Sequence, residues 1–423
     1  MKKSYLFAVV LSVLLFSACD NDFDFDDPEH NSGKLRTVRM EKTTIGDGQV
    51  IVAWGYNNQY TQDINTKCIM LPDLEPEKFT LYQSFDPDKD FTKVVEFTNR
   101  KDPYFEHTIK GLENGKPVYF YVESSRKKYD SEVSLTIMVI PNPEVQSQLI
   151  FKESATSDLI DLLRYCPVNN KVAYNTRLNI LNKRQLIVVN LDGSGKELVH
   201  NNRSLYDICW SSDGNMIVYS TMIGNDKAIL VYDLTTKEES ILFTLPDKYV
   251  FNLAISPDSK KILCTSLENT EEWKYSIRML DLETKELTTI LKRDDYNSLE
   301  SIDWINNEEF IFEARESIDY YRAYSCIYRA SINSDKCENI IRSQWLDTDI
   351  SLSPDKKRMA FTSTRSGSTQ LWVYDIEKKQ FNQLTGFDVN QRDAYGISRP
   401  GWIDNQTIHY LENARNIRTL SID

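Results

Sequence analysis

One phrase recurs six times between residue 160 and the end of the chain: a short apolar strand, a polar turn typified by Ser-Pro-Asp, and a second apolar strand. Its clearest copies read Ala254-Ile-Ser-Pro-Asp-Ser-Lys-Lys-Ile-Leu263 and Leu352-Ser-Pro-Asp-Lys-Lys-Arg-Met-Ala-Phe361. Aligned on the turn, the copies fall at Val168, Asp213, Asp258, Asn307, Asp355 and Asn405, with spacings of 45, 45, 49, 48 and 50 residues. That period is the length of one four-stranded propeller blade, a unit that cannot bury its apolar faces alone and must stack on its neighbours.

Each repeat reads as strand a, a tight turn, strand b, a variable loop, strand c, a short Lys/Glu/Thr turn and strand d. The third copy is the most complete, with strands over 251–256, 261–266, 276–282 and 286–291. Strand c recurs as Val189-Asn-Leu-Asp192, Val231-Tyr-Asp-Leu234, Met279-Leu-Asp-Leu282 and Val373-Tyr-Asp-Ile376. The sixth copy has three strands, over 397–402, 407–411 and 417–422, while residues 145–151 form a strand-like run with no blade of their own. The expected architecture is therefore all-β, with a six-bladed β-propeller over 144–423 closed by a strand from residues 145–151, because an unpaired strand edge invites association. These copies, with Trp210, Trp304 and Trp402 at one aligned position, resemble the propeller repeats of the TolB family. The resemblance implies six blades; it implies little about role, since one propeller serves many functions.

The N-terminus has the layout of a secretory signal over 1–18: Met1-Lys2-Lys3, an apolar run from Leu6 to Phe16, then Ser17-Ala18-Cys19. It resembles a bacterial lipoprotein signal, which implies lipidation at Cys19. Residues 19–33 form an acidic flexible tether, Asp20-Asn-Asp-Phe-Asp-Phe-Asp-Asp-Pro-Glu29 at its heart. This run resembles the acidic export tags of Bacteroidetes surface lipoproteins, which implies an outer-membrane protein facing the cell exterior and touching the membrane through its lipid alone. A formal charge of -13, with no stretch gathering lysines and aromatics, argues against a nucleic-acid partner.

Residues 34–143 alternate with period two between turns and read as a β-sandwich. Trp54, Leu112, Gly115 and the run Tyr119 to Val122 resemble a fibronectin type III domain, from which the chain departs at Val118, the place of the family's corner tyrosine. Such a domain is expected to act as a spacer. Of seven cysteines, four of the six after Cys19 fall on equivalent or neighbouring blade strands and read as small core residues, and only Cys326 and Cys337, on adjacent strands, form a candidate disulfide.

Two ligand regions emerge. The long, varied loops joining strands b to c and d to a place Trp273, Tyr320, Tyr321, Trp345 and Tyr395 on one rim, where rings among carboxylates and arginines suit a polysaccharide or oligosaccharide. Tyr206, Asp207, Asp303, Asp349 and Arg399 are expected to face the central channel. No serine-hydrolase elbow, Walker, Rossmann or EF-hand pattern occurs, and the four histidines are scattered, so no metal, cofactor or catalytic set is assigned. The expectation is a glycan-binding surface lipoprotein, more a binder than an enzyme. A scaffold for an outer-membrane protein and a polysaccharide-degrading enzyme are the alternatives.

Overall fold

A computed structural model describes residues 34–56, 60–62, 70–72, 74–99, 104–143, 145–153, 158–178, 183–201, 203–224, 226–245, 249–269, 274–292, 296–319, 322–386 and 396–422. The signal, Cys19, the tether and Cys68 lie outside these residues. Every regular element among them is a β-strand. Contacts divide the chain into two compact units: one is made of the segment up to Lys42, Ile51–Thr108 and Pro117–Met138, the other of Thr43–Val50, Ile109–Lys116 and Val139–Asp423.

Most N-terminal strands fall into two sheets, while Tyr60–Gln62 pairs with Met70–Pro72 in a small third. Val38–Gly46, Gln49–Tyr56 and Tyr104–Lys110 make one; Ile137–Val139, Val118–Ser125, Lys78–Ser84 and Thr92–Thr98, in that order, make the other. Burial along Val118–Ser125 follows the pleat, with Val118, Phe120, Val122 and Ser124 inward, as a strand with one buried face requires. Rings from both sheets meet: Trp54 lies edge-on to Phe97 at 5.4 Å and stacks on Phe105 at 6.0 Å, and Phe79 meets Phe105 at 4.7 Å.

The second unit holds six four-stranded antiparallel sheets, a propeller-like arrangement. The third shows the pattern: Tyr249–Ile255, Lys261–Asn269, Lys274–Asp281 and Leu287–Lys292 pair in chain order. The sixth differs. Ile397–Trp402, Thr407–Glu412 and Asn416–Ser421 are joined by Ser147–Lys152, which pairs antiparallel with the last of them from Ser147 opposite Leu420 to Lys152 opposite Asn416. First strands of consecutive sheets touch in order, and that of the sixth touches Asp158–Cys166 of the first. Apolar layers fill the spaces between sheets, as where Ile160, Leu163 and Tyr174 pack with Leu411 and Ile417.

The turn phrase has a physical basis. Ser211, Ser256 and Ser353 each donate a hydroxyl hydrogen bond to the aspartate two residues on, Asp213, Asp258 and Asp355, at 2.6 Å. Each serine oxygen also accepts the backbone N–H five residues on, at 2.9–3.0 Å. The aspartates accept further backbone N–H groups within the turn, and these bonds hold all three carboxyls below their ordinary pKa. The tryptophans at the aligned position do a second job. Trp210, Trp304 and Trp402 donate their indole N–H to Arg164, Ala254 and Ser351 carbonyls on the preceding sheet, at 2.9–3.0 Å, so every even sheet is tied to the odd sheet before it.

Cys326 and Cys337 are not joined by a disulfide. Register explains it: Cys326 stands opposite Arg342 and Cys337 opposite Ala330, so the two are separated along the strands although the strands are adjacent. Cys166, Cys209 and Cys264 are buried and form no disulfide with one another.

Candidate functional site

In the second unit the first strand of each of the six sheets is interrupted. Register breaks fall between Ile160 and Leu162, Leu205 and Asp207, Phe251 and Leu253, Leu299 and Ile302, Thr348 and Ser351, and Ser398 and Gly401. A bulge leaves a residue unpaired and re-aims neighbouring side chains. Three bulge residues, Asn252, Asp349 and Arg399, take φ of 45°, 57° and 53°, a region that side-chain-bearing residues seldom occupy. Strain repeated at equivalent places must be held by surrounding structure.

Hydrogen bonds from the bulges and from first-strand residues beside them supply that hold, and they bridge all six junctions. Arg164 donates to the Asp207 carboxylate at 2.9 Å, and Asp207 accepts Leu253 N–H at 2.7 Å with its other oxygen. Asn252 donates to the Leu299 carbonyl at 2.9 Å. Asp303 accepts Leu352 N–H at 2.9 Å, and Asp349 accepts both the backbone N–H and the guanidinium of Arg399, at 3.1 and 2.9 Å. Arg399 then donates through Nε to the Asp161 carbonyl at 3.1 Å, joining the sixth sheet to the first. Asp349 raises the Arg399 pKa further above its already high ordinary value, so that guanidinium is always charged.

Inside this ring lies a cavity of about 430 Å³. Asp207, Asp303, Asp349 and Arg399 line it, together with Arg164, Asn252, Ser301 and His409, and Pro257, Pro354 and Lys356 of the strand a to b turns stand at its edge. His409 comes from the second strand of its sheet and reaches past Gly401: a Cβ at Gly401 would sit 2.3 Å from His409 Nε2. Burial, and then the nearby Arg164 charge, push the His409 pKa down to about 3, so the imidazole is neutral at ordinary pH. Among the described residues no group of three or more metal-ligating side chains occurs.

Tyr206 is not part of the lining; its ring lies edge-on to Phe251 at 5.5 Å. Trp273, Tyr320, Tyr321 and Tyr395 lie outside the described residues. Trp345 packs on the Arg365 guanidinium, 5.6 Å from its ring centre. Arg365 is itself buried among Phe361, Trp372 and Phe381 and paired twice with Asp347, at 2.7 and 2.8 Å. The sequence reading missed Arg164, Asn252 and His409. Asn252 carried a signal, a polar residue inside an apolar first strand, the same mark that Asp207, Asp349 and Arg399 show.

No family model matches this chain, and no curated protein matches it. Solved structures similar to it include TolB from Acinetobacter baumannii, 16% identical over 74% of this chain and 78% of that one, with a TM-score of 0.46. Oligogalacturonate lyase in complex with manganese is 10% identical over 66% of this chain and 97% of its own, TM-score 0.46. The tricorn protease is 11% identical over 90% of this chain and 47% of its own, TM-score 0.44. The expectation that the chain is more a binder than an enzyme is corrected here: a lyase and a protease stand among the similar structures, so the architecture gives no ground for weighing against catalysis.

Proposed function

We propose that this chain is an outer-membrane lipoprotein, anchored through Cys19, displayed at the cell exterior on the acidic tether of residues 19–33 and built as a protein-interaction scaffold. In this reading residues 34–143 are a fibronectin type III-like spacer and residues 144–423 a six-bladed propeller closed by the strand at 145–151. The central cavity receives a segment of the partner protein. The observation that carries this is the hydrogen-bonded ring: it fixes charged and polar groups from every first strand around one cavity, a preorganised set of orienting groups.

A glycan reading needs open ring faces for stacking. The tryptophans lining the cavity are at most 8% exposed and their indole N–H groups are engaged, and Trp345 is stacked on a buried arginine. Among the described residues protein recognition is therefore the better supported reading. Its test is to assay the protein against a peptide library and a panel of plant, host and microbial polysaccharides, following retention, released sugars and cleaved peptides together. Saturable retention of peptides is the expected result. Retention of polysaccharide alone would restore the glycan reading, and products from either panel would make the chain an enzyme.

A further inference from the structure

The charges lining the cavity do not all cancel in pairs. Arg164 is paired with Asp207 and Arg399 with Asp349, in both cases at 2.9 Å. That leaves Asp303 and Lys356. One oxygen of Asp303 accepts the Leu352 N–H; its other oxygen has no donor or cation partner among the described residues, although the side chain lines the cavity. Lys356 stands apart from it, on the turn at the cavity edge, with φ of 61° and no carboxylate within ion-pair distance among the described residues. His409 adds a second unfilled group, for it is 3% exposed, lines the cavity, and its Nδ1 has no partner. A carboxylate held in a cavity with one oxygen unpaired is a charge that an incoming cation satisfies.

We propose that the cavity recognises an organic cation, a primary ammonium or guanidinium group, with Asp303 as its counter-charge; the inference rests on reading the cavity as the place where a partner segment enters. The aliphatic stem of a lysine or arginine suits the apolar part of the wall, which Ile302, Trp304 and Ile350 supply. Neutral His409 adds no competing positive charge to that wall. The chain's formal charge of -13 favours approach of a basic partner. Lys356 opposes entry by like charge, so it acts as a filter at the edge.

The test is titration calorimetry of the full-length protein with acetyl-Gly-Lys-Gly-amide, its Gln and Glu counterparts, Gly-Gly-Gly-amide with a free N-terminus, and butylammonium. The lysine peptide is expected to bind at least tenfold more tightly than the glutamine peptide. The free N-terminal peptide and butylammonium distinguish a side chain, a chain terminus and a small amine as the source of the cation. Asp303→Asn keeps an oxygen for the Leu352 N–H, so an unchanged thermal midpoint with loss of the tenfold preference supports the proposal. Lys356→Gln is expected to raise lysine-peptide affinity severalfold, and it serves if Asp303→Asn fails to fold. Equal binding of lysine and glutamine peptides, or preference for the glutamate peptide, overturns the proposal while leaving a peptide-binding cavity. No binding by any probe overturns both.

Discussion

Asp349 and Arg399 are joined twice, since one carboxylate oxygen of Asp349 accepts the Arg399 guanidinium at 2.9 Å and the other accepts its backbone N–H at 3.1 Å. Both residues sit in bulges with positive φ. Because Arg399 also reaches the Asp161 carbonyl, a single side chain ties the fifth, sixth and first sheets together. Arg399→Ala keeps the backbone N–H bond to Asp349 but removes both side-chain links and leaves Asp349 partly buried without its cation. It is expected to destabilise the protein by about 2–3 kcal/mol, measured by urea unfolding. A change below about 0.5 kcal/mol would show that the junction does not depend on it.

The pair Asp347 and Arg365 is almost fully buried. Removing one partner strands the other charge, so Arg365→Met is expected to lose about 3–5 kcal/mol, whereas Arg365→Met with Asp347→Leu recovers most of that loss. Denaturant unfolding of both variants checks it; a double variant as unstable as the single one would mean that the ion pair itself, not its uncompensated half, supplies the stability.

Gly401 leaves the space that His409 fills. Gly401→Ala is expected to destabilise by about 1–3 kcal/mol through overpacking, and to be close to neutral when His409 is also alanine. A double-mutant cycle measures the coupling, and simple additivity would refute the contact.

His409 also sets a pH dependence. Its pKa falls from an ordinary value near 6.5 to about 3 in the folded protein, so the unfolded chain takes up the proton first. The stability that depends on a neutral imidazole is complete above about pH 6.5 and is lost as pH falls from there toward about 3, at up to about 1.4 kcal/mol per pH unit. Wild type is expected to lose stability faster than His409→Gln between pH 6.5 and 4. Parallel profiles for the two proteins would contradict this.

The strand Ser147–Lys152 is followed by Glu153, which is buried, accepts the Tyr174 hydroxyl at 2.7 Å and the Lys196 ammonium at 2.8 Å, and donates its N–H to the Arg415 carbonyl at 3.1 Å. It thus links the sixth sheet to the first. Glu153→Ala is expected to lower stability by about 1–3 kcal/mol by removing the acceptor that the Tyr174 hydroxyl and the Lys196 ammonium share. Deletion of residues 145–151 is expected to unfold the second unit, and deletion of residues 20–33 to leave the unfolding midpoint unchanged. Circular dichroism melts separate these outcomes.

The repeat was legible because strand, turn and strand are written in local chemistry: apolar alternation for the pleat, and Ser-x-Asp for a turn that satisfies its own backbone. Asp207, Asp303, Asp349 and Arg399 stood out as polar residues inside apolar strands. What they do there was not legible, since Leu253 N–H, Leu352 N–H and the Asp161 carbonyl reach them only through packing of one sheet on another. His409 was hidden for a related reason, because its place in the cavity depends on a glycine in the neighbouring strand. The cysteine pair failed on register, which bulges between Ile327 and Tyr328 and between Ala330 and Ser331 shift beyond what spacing reveals.

The central claim is that a partner protein enters the cavity. A photo-crosslinking amino acid at Val168, exposed at the cavity edge, compared with one at Ile241, exposed on the outer strand Glu239–Leu245, tests it in intact cells. The account expects a discrete protein adduct from Val168 that is competed away by a cavity-binding peptide, and none from Ile241. Adducts from Ile241 alone, or a Val168 adduct indifferent to the competitor, would contradict it.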